Sequence, residues 1–414
     1  MHSLTLTRHI LMKALEFGSK RVDFVLDTYK SPCLKDITRD MRGDDLDDCD
    51  EVYSFGSGQK TPSNFLALLK YSNFKKEFLQ FFFEEIRKSE YGNIFGEKLF
   101  YCSVDNDCIR IQRNNDGEVR VDDIHELHGD HDEADTRVAF HALHADENDP
   151  GDIVIRCNDT DVLIIMLTNV HKFQHRKVWL DIGLGHNNTR SFIDVKATAE
   201  NLQPYVQALA GIYSFTGNDY IPSFYRKGKK RPIEIMVKSE EFISVFSKMG
   251  EVNLTDDDLQ LLESFVCVLY GYGKMTSIDE ARFLHFKNKC KPKEESKPLD
   301  SIKNVDPCSF PPCKKVLMEQ IKRSWFVSRL YKYATEAAPL ADYTLLDFGY
   351  ILVDNRVQVK WFEGDQVPSD VEDDATLDES DDGDEEDEVT DEESSEDESS
   401  SENESSEEDG SESD

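Results

Sequence analysis

Apolar positions along the chain follow two rhythms. Between Asn64 and Lys88, large apolar groups fall at Phe65, Leu68, Leu69, Phe74, Phe78, Phe81, Phe82 and Ile86. That three-to-four-residue spacing predicts one face of a helix. Asp132–Ala145 and Cys313–Ala337 carry the same rhythm, and Ala197–Phe215 predicts two helices broken near Pro204. Thr255-x-x-Asp258 and Ser277-x-x-Glu280 have the spacing of capping boxes and predict two further helix starts, the second matching more closely. Shorter apolar runs predict strands. Arg21–Asp27 and Asp152–Cys157 each end next to an acid, and Lys98–Val104 and Cys108–Arg113 follow in close succession. Lys177–Ile182 and Arg190–Val195, joined through Gly183, Gly185, Asn187 and Asn188, predict a hairpin. Leu346–Trp361 has strand character.

Strands alternating with helices predict an α/β fold, a mostly parallel sheet flanked by helices. The expected organisation is a main domain over 1–290, a Pro- and Lys-broken linker over 291–312, and a helix-and-strand extension over 313–368. Beyond it, 369–414 is a Ser/Asp/Glu tail with almost nothing to bury, expected to be disordered.

Charge sharpens that division. The chain has 414 residues and a formal net charge of −36. Residues 370–414 hold 26 acids and no Lys or Arg, leaving 58 acids against 48 bases in residues 1–369, a net charge of −10. An evenly basic nucleic-acid-coating protein is excluded. The tail suits basic protein partners. No run reaches the roughly 18 apolar residues that span a bilayer, so no membrane partner is expected. The start lacks the pattern of a secretory signal, and the nine cysteines contain no C-x-x-C, so reduced thiols are expected.

Candidate chemistry lies in carboxylates beside structured segments: Asp27, the pair Glu133/Asp135, the pair Asp159/Asp161, and Asp219. Asp159 and Asp161 follow a strand, where residues two apart share a side. Glu133 and Asp135 lie about 200° apart on a regular helix and converge only at a helix start. Acids gathered in one cleft repel each other, and cations relieve that repulsion. An all-oxygen donor set suits Mg²⁺ or Mn²⁺, and two such ions are the usual device for phosphodiester hydrolysis. The bland alternative, solvated loop acids in an acid-rich chain, stays open on spacing alone.

The ordered series Leu26-Asp27, Leu34-Lys35, Arg42, Glu133-Ala-Asp135, Asp159-Thr-Asp-Val-Leu163 and Phe215-Thr-Gly-Asn-Asp-Tyr220 resembles the flap endonuclease-like PIN family. It is most similar to PIN-like proteins of animal genomes, often transposon-associated, which carry Glu-Ala-Asp-Thr-Arg, Asp-Thr-Asp-Val and Thr-Gly-x-Asp. The resemblance covers roughly residues 10–368. It implies a PIN-like, 5′-nuclease-like sheet and a metal-dependent nuclease acting on structured DNA or RNA without sequence specificity. It also implies two Mg²⁺ or Mn²⁺ ions held by Asp27, Glu133, Asp135, Asp159, Asp161 and Asp219, with Lys35 and Arg42 neutralising the phosphate. The family opens with a further strand bearing another metal-binding Asp. Here its place falls upstream of Met1, so the first strand is expected to be missing and cleavage to be weak.

Tyr225-Arg-Lys-Gly-Lys-Lys-Arg231 is the densest positive cluster. By the same resemblance, Arg226, Lys227, Gly228, Lys229 and Lys230 contact nucleic-acid backbone. A nuclear-import signal and a plain solvated turn are competing readings. The expected location is nuclear, the cytoplasm being the alternative. Five of eleven histidines, His125, His128, His131, His141 and His144, cluster without a nearby cysteine, which predicts a His-rich loop and helix surface rather than a zinc site. The rival functional reading is a catalytically inactive PIN-like nuclear binding protein.

Overall fold

The computed structural model describes residues 3–42, 54–114, 116–184, 189–290 and 305–364. Contacts divide the chain into a unit over residues 1–363 and a second over 364–414. The acidic tail, most of the expected linker (291–304) and the tip of the predicted hairpin (185–188) lie outside the described residues.

Among the described residues, nine strands form three small sheets. In the first, β1 (Arg21–Phe24), β2 (Leu99–Val104), β3 (Asp107–Arg113) and β4 (Val119–Asp123) lie in sequence order. The second orders β5 (Ile153–Arg156), β6 (Val178–Ile182) and β7 (Ser191–Asp194), and the third pairs β8 (Tyr350–Val353) with β9 (Arg356–Val359). The fold is therefore α/β with mixed sheets. Pairing is parallel at β1–β2 and β5–β6, where helices make the crossovers, and antiparallel at β2–β3, β3–β4, β6–β7 and β8–β9. The predicted hairpin is β6–β7. β4 carries no strong apolar alternation and escapes sequence reading.

Helix boundaries follow local chemistry. The predicted helix over 64–88 divides into Phe65–Leu68 and Ser72–Glu85. Pro204 separates Val195–Asn201 from the 3₁₀ turn and helix that end at Phe215. Thr255 and Asp258 form a reciprocal capping box, whereas at Ser277 only the serine side chain caps, accepting from the Glu280 amide. Strand β1 stops at Phe24, so Asp27 lies three residues beyond it rather than ending it. Asp23, which is on β1, is ion-paired with Arg21 at 2.7 Å and bonded to buried His141 at 2.9 Å. Burial alone would raise its carboxyl, but His141 and Arg21 hold it down at about 2.

The expected C-terminal extension is central to the core. Helix Lys314–Lys332 places Leu317 and Ile321 in one apolar cluster with Phe246 and Phe265, and Phe326, Val327 and Tyr331 in another with Ile165 and Leu180. Buried Arg323 donates to the carbonyls of Gly349 and, at 2.5 Å, Lys360, clamping the β8–β9 hairpin to this helix. The hairpin braces the helix Lys35–Arg42: the Val357 amide donates to Asp36 Oδ2 at 3.2 Å, and Arg356 pairs with Asp40 at 2.7 Å. No helix among the described residues is long and apolar enough to cross a membrane, and the eight described cysteines are free thiols.

Asp36 is the joint between the two ends of the chain. Its carboxylate, 1% exposed, accepts from Ser31 Oγ, the Cys33 amide and the Val357 amide, and pairs with Arg39. Asp36→Ala strands those buried donors and is expected to cost about 2–4 kcal/mol in urea unfolding of the full chain. A loss below about 0.5 kcal/mol, the range of an inert surface change, would contradict this role.

Candidate functional site

The acidic residues come together through helix starts. Glu133 occupies the cap position of helix Ala134–Asn148 with extended backbone (φ −131°, ψ 148°), and Asp135 lies in its first turn. The extended backbone at 133 brings both carboxylates toward one cleft, as convergence at a helix start requires. Glu133 does not cap its own helix. Asp27 does so from outside, accepting the Ala134 amide on Oδ1 at 2.9 Å. The Thr28 amide and hydroxyl both donate to the Asp132 carbonyl, fixing this junction.

Asp159 and Asp161 meet differently from the strand-exit expectation. Strand β5 ends at Arg156, and Asp159 caps helix Thr160–Asn169, its Oδ1 accepting the Asp161 amide at 2.9 Å. Both residues therefore sit at a helix N-terminus, where backbone amides and the helix dipole favour negative charge. Asp219 is exposed in the turn closed by the Asn218–Ile221 bridge. Gly217 makes that turn possible: its φ is +98°, and a Cβ there would lie 2.5 Å from Ser223 Cα.

The acids are coupled electrostatically. Burial raises Asp135 to about 8, with Glu133, Asp159 and Asp27 adding to the shift. Glu133 rises to about 7, again by burial first, with Lys35 opposing. Asp161 is raised by burial and by Asp159 and Asp219, while hydrogen bonds from Tyr213 and Tyr331 pull it down. Lys35 Nζ lies 2.8 Å from Asp27 Oδ2 and 3.7 Å from Glu133 Oε2. Burial alone would lower its own pKa, but those two carboxylates raise it above the usual lysine value. Arg42 ends the same helix; its side chain lies outside the described residues.

Sequence reading misses the groups that hold Asp161. Tyr213 donates to Oδ1 at 2.5 Å and Tyr331 to Oδ2, so one carboxylate is gripped by two phenols. Asn218 in turn donates to the Tyr331 hydroxyl at 3.2 Å. Tyr331 comes from a helix 170 residues away in sequence, and no local pattern marks it. Beside the acids lies a cavity of about 210 Å³ whose lining includes Glu133, Asp135 and Asp161 together with Phe326, Leu330 and Leu340.

The basic segment divides. Arg226, Lys230 and Arg231 are exposed, Lys227 leans over the Tyr270 ring at 4.1 Å, and Gly228 is open with φ +56°. Lys229 is not part of a phosphate-facing surface. Its ammonium turns inward to the Tyr213 carbonyl at 2.6 Å, Thr216 Oγ1 at 3.1 Å and the Gly217 carbonyl, and lies 4.0 Å from the Tyr213 ring. Those acceptors are at the carboxyl end of helix Leu209–Phe215, where a cation is favoured. Burial lowers Lys229 to about 8, Asp161 partly opposing. The histidines also depart from a surface role: His131 and His141 are buried, and burial lowers both.

The donor set fits a hard divalent cation. It is all oxygen, and Glu133 Oε1 is buried without a partner in hydrogen-bond geometry; nearby Tyr220 lowers the carboxyl yet does not satisfy that atom. The acids are not drawn into a tight shell, since Lys35 stands between Asp27 and Glu133. Among the described residues the one His/Cys/Asp/Glu trio with donor atoms all within 4.8 Å lies elsewhere.

These shifts predict a pH dependence in chelator-treated protein. The ordinary values of Glu133 and Asp135 are 4.5 and 3.8, against about 7 and about 8 in the fold. The folded state binds those protons more tightly, so the pair's contribution to stability is greatest at low pH and declines as pH rises to about 8. Chemical denaturation at a series of pH values should show stability declining more steeply in wild type than in Glu133→Gln/Asp135→Asn. Equal slopes would contradict the shifts.

The chain matches no family model and no curated protein, so the reading of this site rests on its own residues.

Proposed function

We propose that the chain is a divalent-metal-dependent phosphodiesterase, a nuclease of the flap endonuclease-like PIN class acting on structured nucleic acid. The observation that carries this reading is the coupled carboxylate cluster. Six acids from four chain segments act on one another, and two are pushed toward neutrality by burial and mutual repulsion. Such a cluster is favourable near neutral pH when divalent cations share it. Asp27, Glu133, Asp135, Asp159, Asp161 and Asp219 would hold Mg²⁺ or Mn²⁺. When bound, the metal supplies charge stabilisation at a phosphate and a more acidic water.

The chain's own groups do the rest. Tyr213 and Tyr331 fix Asp161 so that its oxygens keep one orientation. Lys35, on a flexible stem and already facing Asp27 and Glu133, can turn its ammonium to a substrate phosphate and offset charge that builds there. The exposed Arg226, Lys230 and Arg231 suit backbone contact, which is independent of base sequence.

A second reading, a catalytically inactive binding module, has one observation in its favour. Lys35 is ion-paired between two of the acids, as in a site that balances part of its own charge.

Cleavage of flap, hairpin and single-stranded substrates in Mg²⁺ or Mn²⁺ separates the readings. The nuclease reading expects metal-dependent cleavage that Asp159→Ala/Asp161→Ala abolishes and that Lys35→Ala slows by about 10²–10³-fold. Tyr213→Phe/Tyr331→Phe should weaken Mn²⁺ binding by about 10–100-fold with the acids intact. Nucleic-acid binding without cleavage by the wild-type chain would favour the inactive module.

A further inference from the structure

A second cluster of metal-ligating side chains lies outside the acid site. Strand β4 ends at Asp123, and the chain then enters the 3₁₀ turn His125–Leu127. In such a turn, side chains three apart eclipse, which puts His125 and His128 on one side, their ring centroids 4.9 Å apart. His128 Nε2 is 2.6 Å from Asp123 Oδ1, and His125 Nδ1 is 3.5 Å from Asp123 Oδ2. One donor atom from each residue lies within 4.8 Å of the others. Tetrahedral zinc with bonds of 2.0–2.1 Å separates its donors by about 3.3 Å, so the trio needs only small adjustment to close on an ion.

The scaffold beneath is fixed. Asp123 pairs with Ile109 across the sheet, the Ile124 amide donates to the Cys108 carbonyl at 2.9 Å, and Leu127 is fully buried under the turn. Asp107, at the start of β3, faces the far nitrogen of the second imidazole, with Oδ1 4.0 Å from His128 Nδ1. A carboxylate behind a ligating histidine sets the tautomer and ring orientation.

We propose that Asp123, His125 and His128 form a site for a transition-metal dication of the zinc class, with Asp107 as the positioning residue behind His128. Two imidazoles and a carboxylate select Zn²⁺, Co²⁺, Ni²⁺ or Cu²⁺ over Mg²⁺ and Mn²⁺, whereas the all-oxygen acid cluster has the opposite preference. The two sites are distinct in chemistry, and this inference does not depend on the nuclease reading. Its role is structural. Five residues after His128 the chain reaches Glu133, and the Gly129 amide already donates to the Asn106 carbonyl at 3.0 Å. A metal here would staple the end of β4 to the segment that delivers Glu133.

The test is calorimetric titration of the full chain with Zn²⁺, in a background of excess Mg²⁺ to occupy the acid cluster and the acidic tail. Wild type should take up one equivalent of Zn²⁺, gain thermal stability, and give the visible absorption of four-coordinate cobalt when Co²⁺ replaces it. His125→Ala changes a side chain that is 80% exposed and should leave the metal-free melting temperature unchanged while removing the Zn²⁺ equivalent. His128→Ala should do the same to the titration, Asp107→Asn should weaken it by about 10-fold, and Asp159→Ala/Asp161→Ala should retain it. No saturable Zn²⁺ uptake by wild type, or uptake unchanged in both histidine variants, would overturn the proposal.

Discussion

Mutual repulsion among carboxylates is the constraint on which the rest of this structure turns. The charges of Asp27, Asp159 and Asp219 add to burial in raising Glu133, Asp135 and Asp161. Left in water, acids on loops would separate and stay ionised. Here they are held by groups that favour negative charge at short range. Two helix N-termini point amides at them, Lys35 lies between two, and two phenols grip a third. The compensation is incomplete. Glu133 and Asp135 keep protons into the neutral range.

Distant parts of the chain hold the acidic residues in place. Helix Lys314–Lys332 joins two apolar clusters and brings Tyr331 to Asp161. The β8–β9 hairpin is locked to that helix through Arg323 and reaches Asp36, the neighbour of Lys35. Residues near the C-terminal end of the folded unit thus set the positions of one acid and one base belonging to early motifs. Lys229 extends this logic, placing its charge on the carbonyl end of the helix whose Tyr213 holds Asp161. A site built from remote segments is rigid only when the whole unit is folded.

What the sequence made legible follows from how local each signal is. Helical spacing, the Pro204 break and the Thr255 capping box are short-range, and each predicted element is present with shifted ends. The convergence of Glu133 and Asp135 was legible, since the start of helix Ala134–Asn148 supplies what a regular helix denies. The origin of the Asp159/Asp161 pairing was misread, because helix capping and strand alternation both place residues two apart on one side. Lys229 was misread because a run of positive charge looks solvated, and only the fold reveals carbonyls waiting for one member. Tyr331 had no signal, since its partner is remote in sequence. His141 is buried against half-buried Asp23, a pairing between remote segments that spacing does not reveal.

The central claim is that the acid cluster is protonated beyond the ordinary carboxylate state until a divalent cation replaces those protons. Calorimetry of Mg²⁺ or Mn²⁺ binding in buffers of different ionisation enthalpy counts protons released per ion. The account predicts net release near pH 7 that fades as pH rises beyond about 8, where Asp135 has already lost its proton. Cation binding with no proton release at pH 7, or release that grows with pH, would contradict it.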